Sequence, residues 1–548
     1  MSRYEKTKEK KKNSRYNTLG IVFTCLMCLL VTRIYFIQIV EGPKYKVMAE
    51  RQSRYKINHI SSRGTIYDRN RISLTNAENA TLLLVDSDII ENSLAKNIDL
   101  LIEQSTLLGD RSGQKYKIIK SNSSDIQALS HVFDQYLTYP IQTYNRYYED
   151  QPAVHLIGYV NQWNNTGAIG LERSFETLLN QAAPEIYATV DAKNNIIPGL
   201  GFQIKKAEES YSLVTTLDIN IQKEVERILK ERNITGAVVI LDTENGNILA
   251  SASSPAYNPN KVEEYLQSKN EELFNKAIQV GYPPGSIFKI IVAAAGLESG
   301  IVSEEDTFIC NGYEIINDIK IKCSAHDKGG HGEITFEEAF SLSCNSAFIQ
   351  MGQKIGSEKI LEMSKKFGLG SKTGIDLKEE YQGNLPSTRE VSGAGIGNLS
   401  VGQGSLLVTP LQCAKATAII ANDGIDKNVN LVKEIIDWKG NSVQTSDYIL
   451  EKVLSKKTAQ LIGKFMEKTV QEGTANNLKC PNGVTIAGKT GSAQSVYSNE
   501  EVVHGWFTGY APSDNPKYVI TVFVQDGRSG RSGAVPVVQD IINYLFEN

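Results

Sequence analysis

The sequence is short of cysteine and of net charge, and each shortage excludes a class of protein. Of its seven cysteines, two lie in one apolar run, and the five that remain are an odd number. A complete disulfide framework is therefore excluded. The formal net charge is only -4, so the chain as a whole carries no signal for binding nucleic acid. Its 548 residues have the composition of ordinary globular domains, and this length favours more than one domain.

The first forty residues combine a basic flank with an apolar run. Residues 1–17 carry seven lysines and arginines against two glutamates, and residues 18–40 contain a single charge, Arg33. This run is long enough to cross the hydrocarbon core of a bilayer. A cleaved signal peptide begins in the same way, but no convincing small-residue cleavage site follows, so we predict an uncleaved transmembrane helix. The basic flank predicts that residues 1–17 are cytoplasmic and that everything after Val40 lies outside the cell membrane.

Residues 41–211 mix short strand-like runs with polar helical patterns and contain no pairing of a nucleophile with a base. We predict an elongated pedestal or dimerisation module here. Two passages stand out, RGTIYDRNRISLT from Arg63 and HLIGYVNQWNNTGAIGLERSFETLL from His155, and we interpret both as structural. At Asp218 strand-like alternation gives way to helical periodicity, which marks a second domain over residues 212–548. Its opening, GAVVILDTENGNILASASSP, predicts a β-hairpin.

The stretch GYPPGSIFKI places Ser286 and Lys289 three residues apart, where a Pro/Gly turn meets an apolar helical run. Side chains at this spacing share one helix face, so a serine could meet its base there. A base within reach activates an alcohol, and a helix N-terminus offers N–H groups to a developing oxyanion. A helix-capping serine followed by a solvated lysine is the other interpretation, and in a chain of this length roughly two or three such pairs arise by chance.

Two later motifs strengthen the first. In SLSCNSAFIQMG, Ser343 and Asn345 follow a helical pattern and can face a cleft, although a pair of helix-capping residues would look the same. In VTIAGKTGSAQ, a β-branched run leads into Lys489, and the hydroxyls of Thr490 and Ser492 follow it.

On a strand that borders a cleft, Lys489 and these two hydroxyls can hold a carboxylate, and Gly491 permits close approach of a substrate. A second KTG, residues 372–374, lies between glycines and a polar loop with no strand-like run before it. We therefore reject it as the strand of the cleft.

The three motifs together resemble the signature of the penicillin-binding proteins: Ser286-Ile-Phe-Lys289, Ser343-Cys-Asn345 and Lys489-Thr-Gly491. Further passages are similar to the class B members of that family, the monofunctional peptidoglycan D,D-transpeptidases. These passages are RGTIYDRN, GLERSF, TTLDINIQ, SPAYNPN, SVGQGSLLVTPLQ and WFTGYAP. A class A member would carry a glycosyltransferase domain, and its acidic motifs are not found between residues 41 and 211.

The resemblance implies an α/β (α+β) transpeptidase domain, with a five-stranded antiparallel sheet packed between helices, on an elongated N-terminal module. It also implies that Ser286 attacks the penultimate D-Ala of a peptidoglycan stem peptide, that Lys289 is the base, and that Ser343 relays the proton. Burial and the nearby charge of Lys489 are expected to lower the pKa of Lys289. Asn345 would bind the substrate backbone, and β-lactams would acylate the serine.

By the same resemblance, Lys489, Thr490 and Ser492 hold the terminal carboxylate of the substrate. The backbone N–H groups of Ser286 and Ser492 form the oxyanion hole. Cys344 stands in the middle motif where some relatives have Asp, and its side chain is expected to point away from the cleft. No cofactor is expected for catalysis, and the expected partners are the membrane and a polytopic membrane glycosyltransferase.

Three rival functions share some of these features. A β-lactamase needs a group that activates water, and no E-x-E-L-N-like segment follows the second motif. A β-lactam-binding sensor needs a substantial signalling region, whereas about seventeen residues are expected in the cytoplasm. A scaffold that activates a membrane glycosyltransferase is compatible with catalysis and stays open beside it.

The segment 310–331 concentrates metal-binding side chains between the first two motifs. If YEIINDIKIK folds as a hairpin, Cys310 and Cys323 meet at its base and His326 follows on the same turn. Thiolates and imidazoles at this spacing favour a closed, structural zinc site, with Asp327 as the expected fourth ligand and His331 as its alternative. A Cys310–Cys323 disulfide and two free thiols are the other interpretations.

Overall fold

The N-terminal apolar segment is helical. The computed structural model describes residues 3–57, 63–76, 78–86, 106–108, 116–122, 139–161, 165–180, 185–193, 195–197, 200, 202–205, 211–446, 449–497 and 500–547. Helix α1 spans Arg3–Tyr35 and continues into a π-helical turn at Phe36–Val40, and α2 spans Gly42–Gln52. Within this region Asn13–Val40 is long and apolar enough to cross a membrane, and its side chains are exposed in the part of the protein that the structure describes. It contains the predicted span, residues 18–40.

Short strands and short helices make up the region that follows. The strands are β1 Arg54–Ile57, β2 Ile66–Tyr67, β3 Glu78–Asp86, β4 Thr106–Leu108, β5 Tyr116–Asn122, β6 Tyr139–Asn145, β7 Val160–Asn161, β8 Thr166–Gly167, β9 Glu185–Thr189 and β10 Phe202–Lys205. Among the described residues of this region they form antiparallel sheets with strand orders β1-β9-β10, β4-β5-β3-β6 and β7-β8. The helices are α3 Val154–Ile157, α4 Gly170–Ser174 and α5 Glu176–Leu179.

A buried ion pair joins the two passages that stood out in this region of the sequence. Arg63 Nε donates to Glu172 Oε2 at 2.9 Å, and both side chains are almost completely buried. The other carboxylate oxygen of Glu172 accepts from Arg146 Nε at 2.7 Å and from the Tyr147 hydroxyl at 2.9 Å. Because an unpaired buried charge is costly, this ion pair keeps the two passages in contact with each other.

The second half of the chain alternates longer strands and helices. Its strands are β11 Tyr211–Thr215, β12 Gly236–Asp242, β13 Ile248–Ser254, β14 Thr307–Cys310, β15 Tyr313–Ile316, β16 Ile319–Lys322, β17 Gly332–Thr335, β18 Ile425–Lys427, β19 Val432–Asp437, β20 Ser442–Thr445, β21 Leu450–Lys452, β22 Ala487–Tyr497, β23 Glu500–Ala511 and β24 Tyr518–Val524. Its helices are α6 Ile219–Glu231, α7 Lys289–Glu298, α8 Phe336–Ser341, α9 Asn345–Ile355, α10 Ser357–Lys366, α11 Gly395–Ser400, α12 Pro410–Ala421, α13 Lys456–Gln471 and α14 Val535–Glu547.

The central feature of this half is a five-stranded antiparallel sheet of order β13-β12-β24-β23-β22. Both faces of the sheet are covered. Along β12, Val239 packs into a core that includes Ile291 of α7, and Val238 packs into a second core with Val538 of α14. Successive side chains on a strand point to opposite faces, so a strand buried on both faces is apolar throughout. The expected sheet between helices is confirmed.

Local predictions at the start of this half are also confirmed. Strands β12 and β13 form the expected hairpin. Helix α6 begins after Asp218, whose carboxylate accepts from the N–H groups of Asn220 and Ile221 as an N-cap. A four-stranded sheet of order β2-β11-β19-β20 then ties strand β2, from the N-terminal region, to strands of the second half. The predicted boundary at residues 211 and 212 falls at the start of β11.

The buried ion pair supports a prediction about stability. Replacing Glu172 with alanine removes the buried carboxylate that Arg63 and Arg146 share, although Arg63 keeps a second partner in Glu176. We expect a loss of roughly 3–5 kcal/mol. Thermal unfolding of the full chain in detergent measures this loss of stability. The matched control is Glu231→Ala, which removes a carboxylate from an exposed pair with Arg227 and should hardly change the melting temperature. Equal shifts for the two variants would contradict a structural role for the buried pair.

Candidate active site

Ser286 lies on a tight turn that leads directly into helix α7. The turn, Gly285–Phe288, is a 3₁₀ helix, and α7 begins at Lys289. Ser286 is half-buried, whereas its neighbours Ile287 and Phe288 are buried in the core and hold the turn in place. Gly285 has a φ of +55°, and a Cβ there would lie 2.6 Å from the carbonyl oxygen of Ser492. Only glycine lets the turn approach strand β22 this closely.

Lys289 is completely buried, and its ammonium group is directed at the second motif. Its Nζ donates to the Ser343 carbonyl oxygen at 2.7 Å, to Ser343 Oγ at 3.2 Å and to Asn345 Oδ1 at 2.7 Å. Burial lowers the pKa of Lys289 from 10.5 to about 8, although the nearby Cys344 and Cys323 raise it in part. A lysine with this pKa can lose its proton near neutral pH, as a general base must.

Ser343 lies between helices α8 and α9 with a φ of +56°. Positive φ is uncommon outside glycine, and it aims the serine hydroxyl at both lysines. Ser343 Oγ accepts from Lys489 Nζ at 2.9 Å as well as from Lys289 Nζ. The N-cap of α9 is Cys344, whose Sγ accepts from the N–H of Ala347. Ser343 is therefore free of a capping role and bridges the two lysines.

Lys489 is the second fully buried lysine of the site. Its Nζ donates to Ser343 Oγ and to the Thr490 carbonyl oxygen at 3.1 Å. Burial, together with the positive charge of Lys289, holds the pKa of Lys489 well below its ordinary value. As expected, burial lowers the pKa of Lys289. The charge of Lys489 was expected to lower it further, but the structure shows the reverse effect, in which the charge of Lys289 lowers the pKa of Lys489.

Strand β22 carries the rest of the third motif. Thr490 is buried and Ser492 is exposed, and alternation along the strand places their side chains on one face. Gly491 lies opposite the nucleophile turn, since a Cβ there would be 3.0 Å from the Pro284 carbonyl oxygen. The close approach that Gly491 allows in the structure is that of the turn, and the approach of a substrate at Gly491 stays a prediction.

A threonine that was not predicted from the sequence lies beside this strand. Thr474 Oγ1 lies 2.5 Å from Thr490 Oγ1, on the loop between α13 and β22. No motif marks Thr474, because it reaches the site through the packing of that loop. The rejected KTG at residues 372–374 is confirmed to lie in a loop, where Glu380 accepts from the N–H and the hydroxyl of Thr373.

The cysteine-rich segment forms a cluster that differs from the predicted one. The predicted hairpin is confirmed as β15 and β16, and the ligand atoms of Cys310, Cys323, His331 and Cys344 all lie within 4.8 Å of one another. His331 Nδ1 is 3.5 Å from Cys310 Sγ and 3.6 Å from Cys323 Sγ. Both cysteines are free thiols in the structure, not a disulfide.

Two expected ligands, His326 and Asp327, are not among the side chains of this cluster. The reason is a long-range pairing, because β14 and β17 place Cys310 opposite Gly332 and so bring His331 beside it. His326 instead packs edge-on against Tyr313, with ring centroids 5.8 Å apart. Cys344 points away from the cleft, as expected, but into the cluster.

Comparison with known proteins agrees with this fold. The family model described as "Penicillin binding protein transpeptidase domain" matches residues 236–543. A curated relative, peptidoglycan D,D-transpeptidase MrdA of Acinetobacter baumannii, is 29% identical over 94% of this chain and 85% of its own length. Because the family model matches more than half of the chain, the chain belongs to the penicillin-binding protein transpeptidase family.

Two solved structures resemble the whole fold. One is described as "Structural coordination of polymerization and crosslinking by a peptidoglycan synthase complex". It has a TM-score of 0.72 at 25% identity, covering 96% of this chain and 98% of the other. The second is the complex between Penicillin-Binding Protein (PBP2) and MreC from Helicobacter pylori. Its TM-score is 0.71 at 25% identity, covering 90% of this chain and 99% of the other.

The pKa of Lys289 predicts a pH dependence for acylation. If its neutral form takes the proton of Ser286, the first-order acylation constant at saturating benzylpenicillin should rise as the pH increases through about 8. The neutral fraction should be roughly a tenth at pH 7 and roughly nine-tenths at pH 9. Rapid-quench measurement between pH 6 and pH 10 checks this, because the penicillin carboxylate stays ionised throughout. A constant rate from pH 6 to pH 9 would rule out Lys289 as the titrating base.

Proposed function

We propose that this protein is a serine D,D-transpeptidase that cross-links peptidoglycan stem peptides. The observation that carries the proposal is the position of Ser343 Oγ, which accepts from both Lys289 and Lys489 next to the turn that presents Ser286. A nucleophile, a buried lysine of lowered pKa and a hydroxyl that connects two ammonium groups form a pathway for protons in acyl transfer.

The first half of the reaction makes an acyl-enzyme. Ser286 Oγ attacks the carbonyl carbon of the penultimate D-Ala while neutral Lys289 takes its proton. The C–O ester bond forms, the C–N bond to the terminal D-Ala breaks, and the proton reaches the leaving amine through Ser343. In the second half an amine of a neighbouring stem peptide attacks the ester carbon. The C–N bond of the cross-link forms, the C–O bond to Ser286 breaks, and a proton of the attacking amine passes to Ser286 Oγ.

The groups that bind the substrate lie on the two elements that meet at the cleft. The oxyanion would lie between the N–H groups of Ser286 and Ser492, because Gly285 brings its turn against the carbonyl of Ser492. The terminal carboxylate would bind Lys489, Thr490 and Ser492. An arriving carboxylate favours the charged form of Lys489, which burial alone disfavours.

The membrane arrangement follows from the N-terminal helix. We propose a single-pass anchor with residues 1–17 in the cytoplasm and the transpeptidase domain outside, which the basic flank supports. We further propose a membrane glycosyltransferase as partner. One structural neighbour belongs to a synthase complex described as coordinating polymerization and crosslinking, which supports this proposal. A scaffolding role toward that partner would accompany catalysis.

A structural zinc ion is a second proposal, and it rests on the cysteine cluster. Three thiols and one imidazole make a closed four-ligand set of the kind that zinc prefers: Cys310, Cys323, His331 and Cys344. Three of the four are buried, and Cys344 is the N-cap of the helix that begins with Asn345. Zinc binding at such a site would contribute directly to the free energy of folding. Through Cys344 it would also stabilise the second motif on the side that faces away from the cleft.

Covalent chemistry at Ser286 provides the test of the main proposal. Mass spectrometry of the full chain after exposure to benzylpenicillin should show one penicilloyl adduct, on the peptide that contains Ser286. Ser286→Ala removes the nucleophile and should show no adduct, whereas Ser492→Ala keeps it and should still be acylated. An adduct that persists in Ser286→Ala would refute the assignment.

Elemental analysis tests the zinc proposal. Protein purified without added metal should contain about one equivalent of zinc, and His331→Ala or Cys344→Ala should lose most of it together with thermal stability. The control is His326→Ala, which removes a neighbouring imidazole outside the cluster and should retain the metal. Zinc-free wild-type protein, or equal loss from the His326 and His331 variants, would contradict the proposed ligand set.

A further inference from the structure

The β15–β16 hairpin makes a backbone contact with a substrate-binding residue of the site. Asn345 Nδ2 donates to the Lys322 carbonyl oxygen at 3.1 Å, and Asn345 Oδ1 accepts from Lys289 Nζ at 2.7 Å. An ammonium group only donates and a carbonyl only accepts, so these two partners determine which way the amide faces. One of the two N–H bonds of Asn345 is used by the hairpin, and the second has no acceptor among the residues that the structure describes, so it is available to a ligand.

The hairpin is docked on helix α9 through one carboxylate. Ser346 Oγ and Gln350 Nε2 both donate to Glu314 Oε1, the latter at 2.7 Å. Gln350 also donates to the Ile309 carbonyl oxygen at 2.8 Å, just before the hairpin. Ser346 and Gln350 are one and five residues beyond Asn345, so Glu314 ties the hairpin to the helix that carries Asn345.

The hairpin contacts α9 in two further places: Cys323 Sγ at its base lies 3.8 Å from Cys344 Sγ at the N-cap of the helix, and apolar side chains pack near its tip. Ile316 packs in a small apolar cluster with Ile349 and Val401, and apolar contacts have no direction. The outer side of the hairpin is in solvent, where Ile315 is 59% exposed and Ile319 is 54% exposed. The bonds to Glu314 are therefore the directional contacts that hold strand β15 on the helix, and they act together with the Cys323 contact to set where the Lys322 carbonyl lies.

We propose that Glu314 is a positioning residue for acyl-donor recognition. It holds the hairpin so that the Lys322 carbonyl orients the amide of Asn345 towards an amide carbonyl of the donor. The ligands affected are those that carry an acylamino group next to the reacting carbonyl, as peptides and side-chain-bearing penicillins do. This inference rests on the proposed function, since it assigns the free N–H of Asn345 to the substrate of that site.

The test compares two ligands that share a ring system and a carboxylate. Benzylpenicillin carries an acylamino side chain, whereas 6-aminopenicillanic acid lacks the side-chain carbonyl. Loss of one hydrogen bond to that carbonyl should lower the second-order acylation constant of Glu314→Ala for benzylpenicillin by about tenfold. The constant for 6-aminopenicillanic acid should stay within about twofold of wild type, because that ligand has no carbonyl for Asn345 to bind.

Matched variants separate positioning from folding. Glu314→Gln keeps an oxygen that accepts from Ser346 and Gln350, so it should restore most of the benzylpenicillin rate. Asp318→Asn removes a carboxylate from the exposed tip of the same hairpin and should behave as wild type. Gln350→Leu removes a docking donor from the helix side, so it should reproduce the selective loss and tests the inference even if Glu314→Ala does not fold.

Parallel losses for both ligands, or wild-type rates in both Glu314→Ala and Gln350→Leu, would overturn the inference. A Glu314→Gln variant as impaired as Glu314→Ala would do the same. Failure of the proposed function looks different, because the wild-type chain would then be acylated by neither ligand.

Discussion

The site depends on two buried lysines that share one serine hydroxyl. Lys289 and Lys489 have no exposed surface, and each lowers its desolvation cost by donating to Ser343 Oγ. Two ammonium ions this close in a dry environment repel each other, so the arrangement favours a state in which one of them is neutral. The chemistry of the site follows from that constraint, since a neutral lysine is a base and a charged lysine attracts a carboxylate.

The five-stranded sheet and the helices on both its faces make this constraint possible. Lys489 lies on the edge strand β22, and Lys289 lies in the first turn of a helix packed against the same sheet. Gly285 and Gly491 remove the side chains that would keep the nucleophile turn away from the strand. Both lysines are completely buried, and the rings of Phe348 and Phe340 face Lys289 and Lys489.

The second motif, residues 343–345, is held by contacts on its cleft side and by contacts on the side that faces away from the cleft. Cys344 points into the thiol and imidazole cluster, while its neighbours Ser343 and Asn345 face the lysines. The hairpin between Cys310 and Cys323 reaches over the same helix and contacts Asn345 through a backbone carbonyl. The three consecutive residues 343–345 thus connect the catalytic groups to the cysteine cluster and the hairpin. A change in the cluster or the hairpin should therefore alter ligand binding.

Local sequence was enough to identify the three motifs, the turn before α7 and the two hairpins, because neighbouring residues determine these features. Apolar periodicity, an N-cap at Asp218 and a turn centred on Asn317 and Asp318 act within a few residues of the chain. The family resemblance added the sheet between helices, which no short-range pattern indicates.

By itself the sequence determined which functional groups the site can use, since each hydroxyl, amine and thiol belongs to its residue type. Only the tertiary structure decided which of them meet. The pairing of β14 with β17 selects His331 over His326, and the loop after α13 brings Thr474 to Thr490. The position of Ser343 between two lysines depends on strands and helices far apart in the chain. Contacts of this kind arise from the packing of distant segments, which no local pattern encodes.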